Sequence, residues 1–185
     1  MQLRKTGTVE LETARLRMRR FTLDDAQAMF DNWAGDPEVT KYLTWPTHTS
    51  VDITKTVIKS WIDRYEDGAC FNWAIELKSS RQAIGSIAVV SLDEAIAAAD
   101  LGYCLGKAYW DQGIMTEALK TVIDYLFDTV GLNRVAAYHD VSNPRSGRVM
   151  EKAGMKFEGV LRQASRNNSG ICDIAYRSVI RSDRT

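Results

Sequence analysis

The chain has 185 residues, 45% of them hydrophobic and 26% charged, which fits one domain with a single core and argues against disorder. Lys plus Arg and Asp plus Glu number 24 each, so the net charge is zero and no direct nucleic-acid partner is expected. No apolar run approaches the ~20 residues that span a bilayer, Met1 to Glu10 lacks the apolar stretch of a leader peptide, and three widely spaced cysteines suit buried thiols in a reducing, cytoplasmic compartment.

Arg15 to Arg20 alternates charged and apolar residues, the period of a half-buried strand. Thr22 then offers a helix cap with acids behind it, and the helix should run to about Trp33, before Gly35-Asp-Pro37. A second helix is expected from Thr49, with Asp52 at capping-box spacing and Ile53, Val57, Trp61 and Tyr65 along one face, ending at Asp67-Gly68. Phe71 to Leu77 and Ala83 to Ser91 read as a hairpin turning at Lys78 to Gln82. Asp100 to Leu105 continues the meander. The pattern then becomes strand, helix, strand, helix. Met115, Ala118, Leu119, Val122 and Leu126 form a helical stripe, Arg134 to His139 a strand, and Pro144 to Ala153 a short helix with Gly154 past its end. Phe157 to Gln163 and Ile171 to Ile180 close the chain around Asn167-Asn-Ser-Gly170. No linker or repeat divides it, so residues 1–185 are read as one α/β (α+β) domain with its core over about 11–181.

The segment Leu101-Gly-Tyr-Cys-Leu-Gly106, continuing Lys107-Ala-Tyr-Trp-Asp-Gln-Gly-Ile-Met-Thr-Glu-Ala118, is a strand, a loop and a helix start. A glycine at 113 lets a ligand approach the backbone. The unpaired N–H groups of a new helix, together with its positive end, make an anion site without lysine or arginine. Gly102 to Ala108 lacks the spacing and the Ser/Thr of a Walker loop, and no GxGxxG occurs. Read alone, the loop is more simply a structural turn into a helix. His48 and His139 stand far apart without neighbouring ligands, so no metal site is expected.

Four motifs occur in order: Leu101-Gly-Tyr-x-Leu; Tyr109-Trp-x-x-Gly-x-x-Thr-Glu-Ala118; Gly131-Leu-Asn-Arg-Val135; and Asn143-x-x-Ser146-x-x-Val-x-Glu-Lys-x-Gly154-x-x-Phe157-Glu-Gly. With Leu11-Glu-Thr-x-Arg-Leu-x-Met-Arg19 at the start, the chain resembles the GCN5-related N-acetyltransferase superfamily. Within it, the similarity is to the branch that acetylates ribosomal-protein N-termini. The resemblance spans Leu11 to about Arg181. It implies a mixed, mainly antiparallel twisted sheet of about seven strands flanked by about four helices. It also implies acetyl-CoA as cosubstrate and an amine as acceptor. The family's pyrophosphate loop is usually Gln/Arg-x-x-Gly-x-Gly/Ala; here Trp110 and Met115 depart from it.

On that resemblance, Gln112, Gly113, Ile114, Met115, Thr116 and Glu117 cradle the pyrophosphate. Tyr103, Cys104 and Leu105 offer main chain to the acyl-pantetheine arm, and Asn143 and Ser146 border it. Ser146 and Tyr103 are the candidate catalytic residues, with Ser146 placed to hydrogen-bond the leaving thiolate. Cys104 is not needed as a nucleophile. Glu76, Asp100, Tyr138 and His139 are the groups from which a base would be drawn. Trp33, Tyr42, Trp45 and Trp73 are candidates for the acceptor pocket, Trp45 because it stands in a loop. The leading acceptor is a protein N-terminal amine, such as that of a ribosomal protein. A small amine (polyamine, amino acid or antibiotic) is the alternative, and a CoA-binding sensor without turnover the alternative from another class. A dimer through strand edges is compatible with the pattern.

Overall fold

The computed structural model describes residues 3–68 and 70–184; Met1 and Gln2, part of the segment read as lacking a leader, lie outside them. Among the described residues eight strands form one sheet in the order β1-β2-β3-β4-β5-β6-β8-β7. They are β1 (Leu11–Glu12), β2 (Leu16–Arg19), β3 (Asn72–Leu77), β4 (Gln82–Asp93), β5 (Ala98–Leu105), β6 (Arg134–Asp140), β7 (Lys156–Asn167) and β8 (Gly170–Ile180). The eighth strand, beyond the seven expected, is β1. Its two residues pair with Met18 and Arg17, too short a run for alternation to reveal. Five α-helices accompany the sheet among the described residues: α1 (Ala26–Met29), α2 (Pro37–Thr40), α3 (Val51–Ile62), α4 (Ile114–Tyr125) and α5 (Pro144–Lys152).

The sheet has two regimes. β1 to β5 are antiparallel, β5 and β6 run parallel, and β6, β8 and β7 are antiparallel again. The parallel contact is short. It joins Ala98 to Arg134, Ala99 to Val135 and Asp100 to Ala136, and then stops. Past Asp100, β5 stays on β4 down to Leu105, while β6 follows β8 to Asp140. The two central strands therefore part, leaving one edge of Leu101–Leu105 without a strand partner.

One layer of core lies under α4. Ile114, Met115, Ala118, Leu119, Val122 and Ile123 recur at helical spacing and pack on Leu101, Leu105, Val135 and Ala137. The opposite face packs Ala74, Ala83 and Cys104 against Phe21, Met29, Trp33 and Ile58 of the N-terminal helices. The helix expected from Thr22 to Trp33 is broken into a 3₁₀ turn (Leu23–Asp25), α1 and a π turn (Phe30–Ala34). Asn32 in that π turn bonds through its side-chain N–H to Ala83 O at 2.8 Å, so the widened turn follows the sheet edge rather than an ideal helix. The second helix is capped by Ser50 rather than Thr49 and ends at Ile62. α2 was not anticipated, although Asp36 as cap with Pro37 behind it is a helix-start signal.

Candidate active site

The register of β4 and β5 decides which backbone groups face the gap. Gly106 N–H donates to Ile84 O at 2.8 Å. Antiparallel pairing alternates in steps of two, so the N–H and C=O of Cys104 also point to β4. Those of Tyr103 and Leu105 point the other way, into the gap. Of the three residues expected to offer main chain, Tyr103 and Leu105 are placed to do so. Cys104 is not: its backbone is spent on β4 (Ser86 pairs with it) and its thiol lies on the opposite face, 3.3 Å from Ser86 Oγ. Burial pushes that thiol up to about 11, which leaves it protonated and unreactive at neutral pH.

β5 ends at the loop Gly106–Gly113, which opens α4. Trp110, in the place where the family pattern has Gln or Arg, donates its indole N–H to Leu105 O at 2.7 Å and thus anchors the loop to the end of the strand. Asp111 and Gly113 both have positive φ, 58° and 73°; Gly113, the cap of α4, has no Cβ and takes up this left-handed geometry at no steric cost. The first helical bond from the cap runs from Glu117 N–H to Gly113 O at 3.0 Å. The N–H groups of Ile114, Met115 and Thr116 precede it and are the orphan donors of the new helix. Met115 is 5% exposed, with its side chain in the core, so the substitution at the family's Gly/Ala position does not fill the mouth of the loop.

Facing this loop is the N-terminus of α5. Asn143 accepts from Ser146 N–H at 3.4 Å as its cap. Tyr103 reaches across the gap: its hydroxyl lies 2.9 Å from Ser146 Oγ and donates to Ser146 O at 3.1 Å. Burial pushes the Tyr103 phenol well above its ordinary value, so it acts as a neutral hydrogen-bonding group. Arg145 stacks over Trp110 at 5.2 Å and lies 3.8 Å from Asp111, tying α5 to the loop. α5 can sit this close to β6 because residue 147 is glycine; a Cβ there would be 2.6 Å from His139 Nε2.

Three of the base candidates are engaged elsewhere. Glu76 is buried and bonded by Arg19 Nε at 2.6 Å, while Arg19 also holds Asp25 by two bonds of 2.7 and 2.8 Å. His139 bonds Asp140 O through Nδ1 at 2.8 Å and turns its other nitrogen to Gly147. Tyr138 stacks on Tyr176 at 5.3 Å. Asp100 remains, on the last residue pair before the strands part, and burial raises its pKa despite the opposing charge of Arg134.

The acceptor aromatics divide. Trp73 is wholly buried and donates to Val9 O at 2.7 Å, so it is core and not a pocket wall. Trp33 is likewise 0% exposed, packed inside the N-terminal layer. Their exclusion follows from strand and helix facing, which aromatic composition does not reveal. Tyr42 and Trp45 lie in the loop after α2 and are partly exposed. The turn between β7 and β8 fastens to that loop. Asn168 N–H donates to Leu43 O at 3.2 Å, and its side-chain amide donates to Thr40 O and Trp45 O, both at 2.9 Å. Asn168 was not a sequence candidate; its partners lie more than 120 residues away, and no local signal could have named it.

The donor set fits acetyl-CoA. A left-handed glycine and three orphan amides suit a diphosphate, and a strand edge with two free N–H groups suits an amide-rich arm and a thioester carbonyl. No group of His, Cys, Asp and Glu able to hold a metal occurs among the described residues, and no helix among them is long and apolar enough to cross a membrane.

Comparison with known proteins agrees with the geometry. The acetyltransferase (GNAT) domain family matches residues 15–156. The N-acetyltransferase p20 of Bacillus licheniformis, itself uncharacterized, is 30% identical over 173 residues, covering 94% of this chain and 97% of its own length. The ribosomal-protein-serine acetyltransferase of Escherichia coli (strain K12) is 27% identical over 142 residues, 76% of this chain and 78% of the relative. The crystal structure of ribosomal-protein-S5-alanine acetyltransferase from Vibrio fischeri shares the fold, with a TM-score of 0.83 at 20% identity over 96% of this chain and 99% of that one.

Proposed function

The chain belongs to the GNAT acetyltransferase family, and from that premise we propose that it acetylates the α-amine of a protein N-terminus, such as that of a ribosomal protein. It is an acetyl-CoA-dependent N-acetyltransferase. The observation that carries the reading is the parting of β5 from β6 directly above the α4 N-terminus, which lines up an acyl-arm cleft with an anion site. The named activity of the Escherichia coli relative supports the choice of acceptor. The reduced thiols of Cys104 and Cys172 are in keeping with a cytoplasmic setting.

Acetyl-CoA supplies a thioester, whose C–S bond breaks as the amine forms a C–N bond at the carbonyl carbon. On the open strand edge, one of the N–H groups of Tyr103 and Leu105 would polarise the thioester carbonyl, and the other, two residues along, would hold an amide of the acyl arm. Asp100, at the root of the gap, takes the proton the amine must lose; its burial-raised pKa makes it a better acceptor of that proton than an exposed carboxylate. Ser146, joined to Tyr103, hydrogen-bonds the departing thiolate. Asn143 holds the α5 end in place, and Tyr42 and Trp45 border the acceptor entrance.

The test is acetyl-CoA turnover, followed by release of free thiol, with peptides bearing N-terminal Ser or Ala against spermidine, free amino acids and an aminoglycoside. Peptide turnover with α-amine acetylation is expected. Turnover confined to a small amine would replace the acceptor, and CoA binding without turnover on any of them would replace the enzyme by a sensor. Asp100→Asn should lower kcat at pH 7 and leave acetyl-CoA affinity unchanged; an unchanged kcat removes Asp100 from the reaction.

A further inference from the structure

The loop that receives the diphosphate carries two carboxylates of its own, Asp111 and Glu117. Each is met by an arginine from elsewhere in the chain: Arg145 lies 3.8 Å from Asp111, and Arg15 lies 2.6 Å from Glu117. The second pair is the more consequential. Glu117 stands in the first turn of α4, beside the orphan amides, as an anion built into the anion site. Left alone, its carboxylate would compete with a phosphate for those donors and repel it.

The turn between β1 and β2 prevents this. Thr13 closes it through an N–H bond to Leu16 O at 2.9 Å, and the Thr13 hydroxyl donates to one oxygen of Glu117. Arg15 donates through Nε to the other at 2.7 Å. Burial would raise the Glu117 pKa, but the bonds from Thr13 and Arg15 outweigh it and hold the group ionised. Arg15 Nη1 also donates to Gln112 O at 3.0 Å. In a trans peptide the C=O of residue 112 and the N–H of residue 113 point in opposite directions. Fixing that carbonyl toward Arg15 therefore fixes the Gly113 N–H outward. Nη2 lies 3.8 Å from where a Cβ on Gly113 would be, so the guanidinium rests against the loop itself.

We propose that Arg15 is a positioning residue for cosubstrate binding, which draws the Glu117 carboxylate off the α4 N-terminus and sets the Gln112–Gly113 peptide so that the loop amides are open to a diphosphate. The inference rests on the assignment of this loop as the diphosphate site. Arg15 and Glu117 each stand in a motif of the sequence, but nothing local pairs them, because they are 102 residues apart.

Calorimetric titration of CoA separates the possibilities. Arg15→Ala leaves Glu117 uncompensated and should weaken CoA binding about fivefold, the scale of one water-screened unit charge about 4 Å from another. Adding Glu117→Gln, which removes the competing anion and keeps the main-chain amides, should restore most of the binding lost in Arg15→Ala. With S-acetylpantetheine, which lacks the diphosphate, the kcat/KM of Arg15→Ala should equal that of wild type. A loss that persists in the double variant, or one that appears equally with S-acetylpantetheine, overturns the proposal. Should Arg15→Ala not fold, Arg15→Gln carries the same comparison. Gly113→Val distinguishes the premise: a β-branched residue at φ 73° must impair the loop. Unchanged CoA affinity there refutes the loop assignment; weakened affinity there with unchanged affinity in Arg15→Ala refutes only the role of Arg15.

Discussion

Replacing Ser146 by alanine removes a hydroxyl from the side-chain bridge between β5 and the N-terminus of α5. The Tyr103 hydroxyl sits 2.9 Å from Ser146 Oγ and also donates to Ser146 O at 3.1 Å. The variant deletes the first contact and keeps the second, so no buried donor is stranded. The stability cost therefore falls near the lower end of the about 0.5–1.5 kcal/mol of a single hydrogen bond. In a chain of this size that is a fall of about 2–4 °C in Tm at most. The effect on turnover should be larger. A thiol titrates near ~8.5, so at neutral pH the leaving group needs only partial assistance. The loss of kcat should lie at or below the low end of the ~10²–10⁴ range for proton donors, about tenfold to a hundredfold, or about 1.4–2.7 kcal/mol of barrier. The loop amides and Asn143 are untouched, so the Kd for acetyl-CoA should stay within about threefold. Thiol release at saturating acetyl-CoA and peptide, measured from pH 6.5 to 9.5, checks both quantities, and the deficit should shrink above pH ~8.5, where the thiolate leaves unaided. A kcat within about twofold of wild type, or a Kd change accounting for the whole deficit, would refute the assignment.

Gly106→Ala would place a Cβ 2.7 Å from Asn32 O and 3.2 Å from Ile84 O, both backbone atoms that cannot rotate away. It should cost about 1–3 kcal/mol by denaturant melting and weaken acetyl-CoA binding, because the end of β5 must shift from the π turn. Arg19→Met strands the buried carboxylates of Asp25 and Glu76, and urea unfolding at pH 7 should show a loss of about 3–5 kcal/mol; a loss below about 1 kcal/mol would mean the network contributes little. Glu158, held by Arg134 and Ser178, titrates at about 2 against an ordinary 4.5. Its folded pKa is depressed, so its contribution is complete above the ordinary value and fades as pH falls from there toward about 2. Thermal melts of Glu158→Gln should therefore depend less on pH than wild type across that window.

Much of the site could be read along the chain because its parts obey short-range rules. A glycine before an apolar helical stripe marks the Gly113 cap, and Asn143-Pro144 marks the start of α5; both are settled within one helical turn. The meander pattern placed Asp100 to Leu105 in a strand, and the motif order tied the three segments together. The acceptor side was less legible. Trp33, Tyr42, Trp45 and Trp73 are alike in composition, yet two are core and two are not, because only the face of each element decides which aromatic meets solvent. The first helix was misjudged for a related reason: its π turn answers to contact with Ala83 and Gly106, not to its own propensity.

By itself the sequence determined the longer elements, the glycine-capped loop and the family, since backbone conformation and hydrophobic periodicity are fixed by neighbours a few residues apart. Only the tertiary structure decided that β5 leaves β6 after Asp100, that the free amides there are those of Tyr103 and Leu105, and that Arg15 meets Glu117 across 102 residues. Those outcomes depend on strand order and register, which bring together groups whose separation along the chain carries no information about their separation in space.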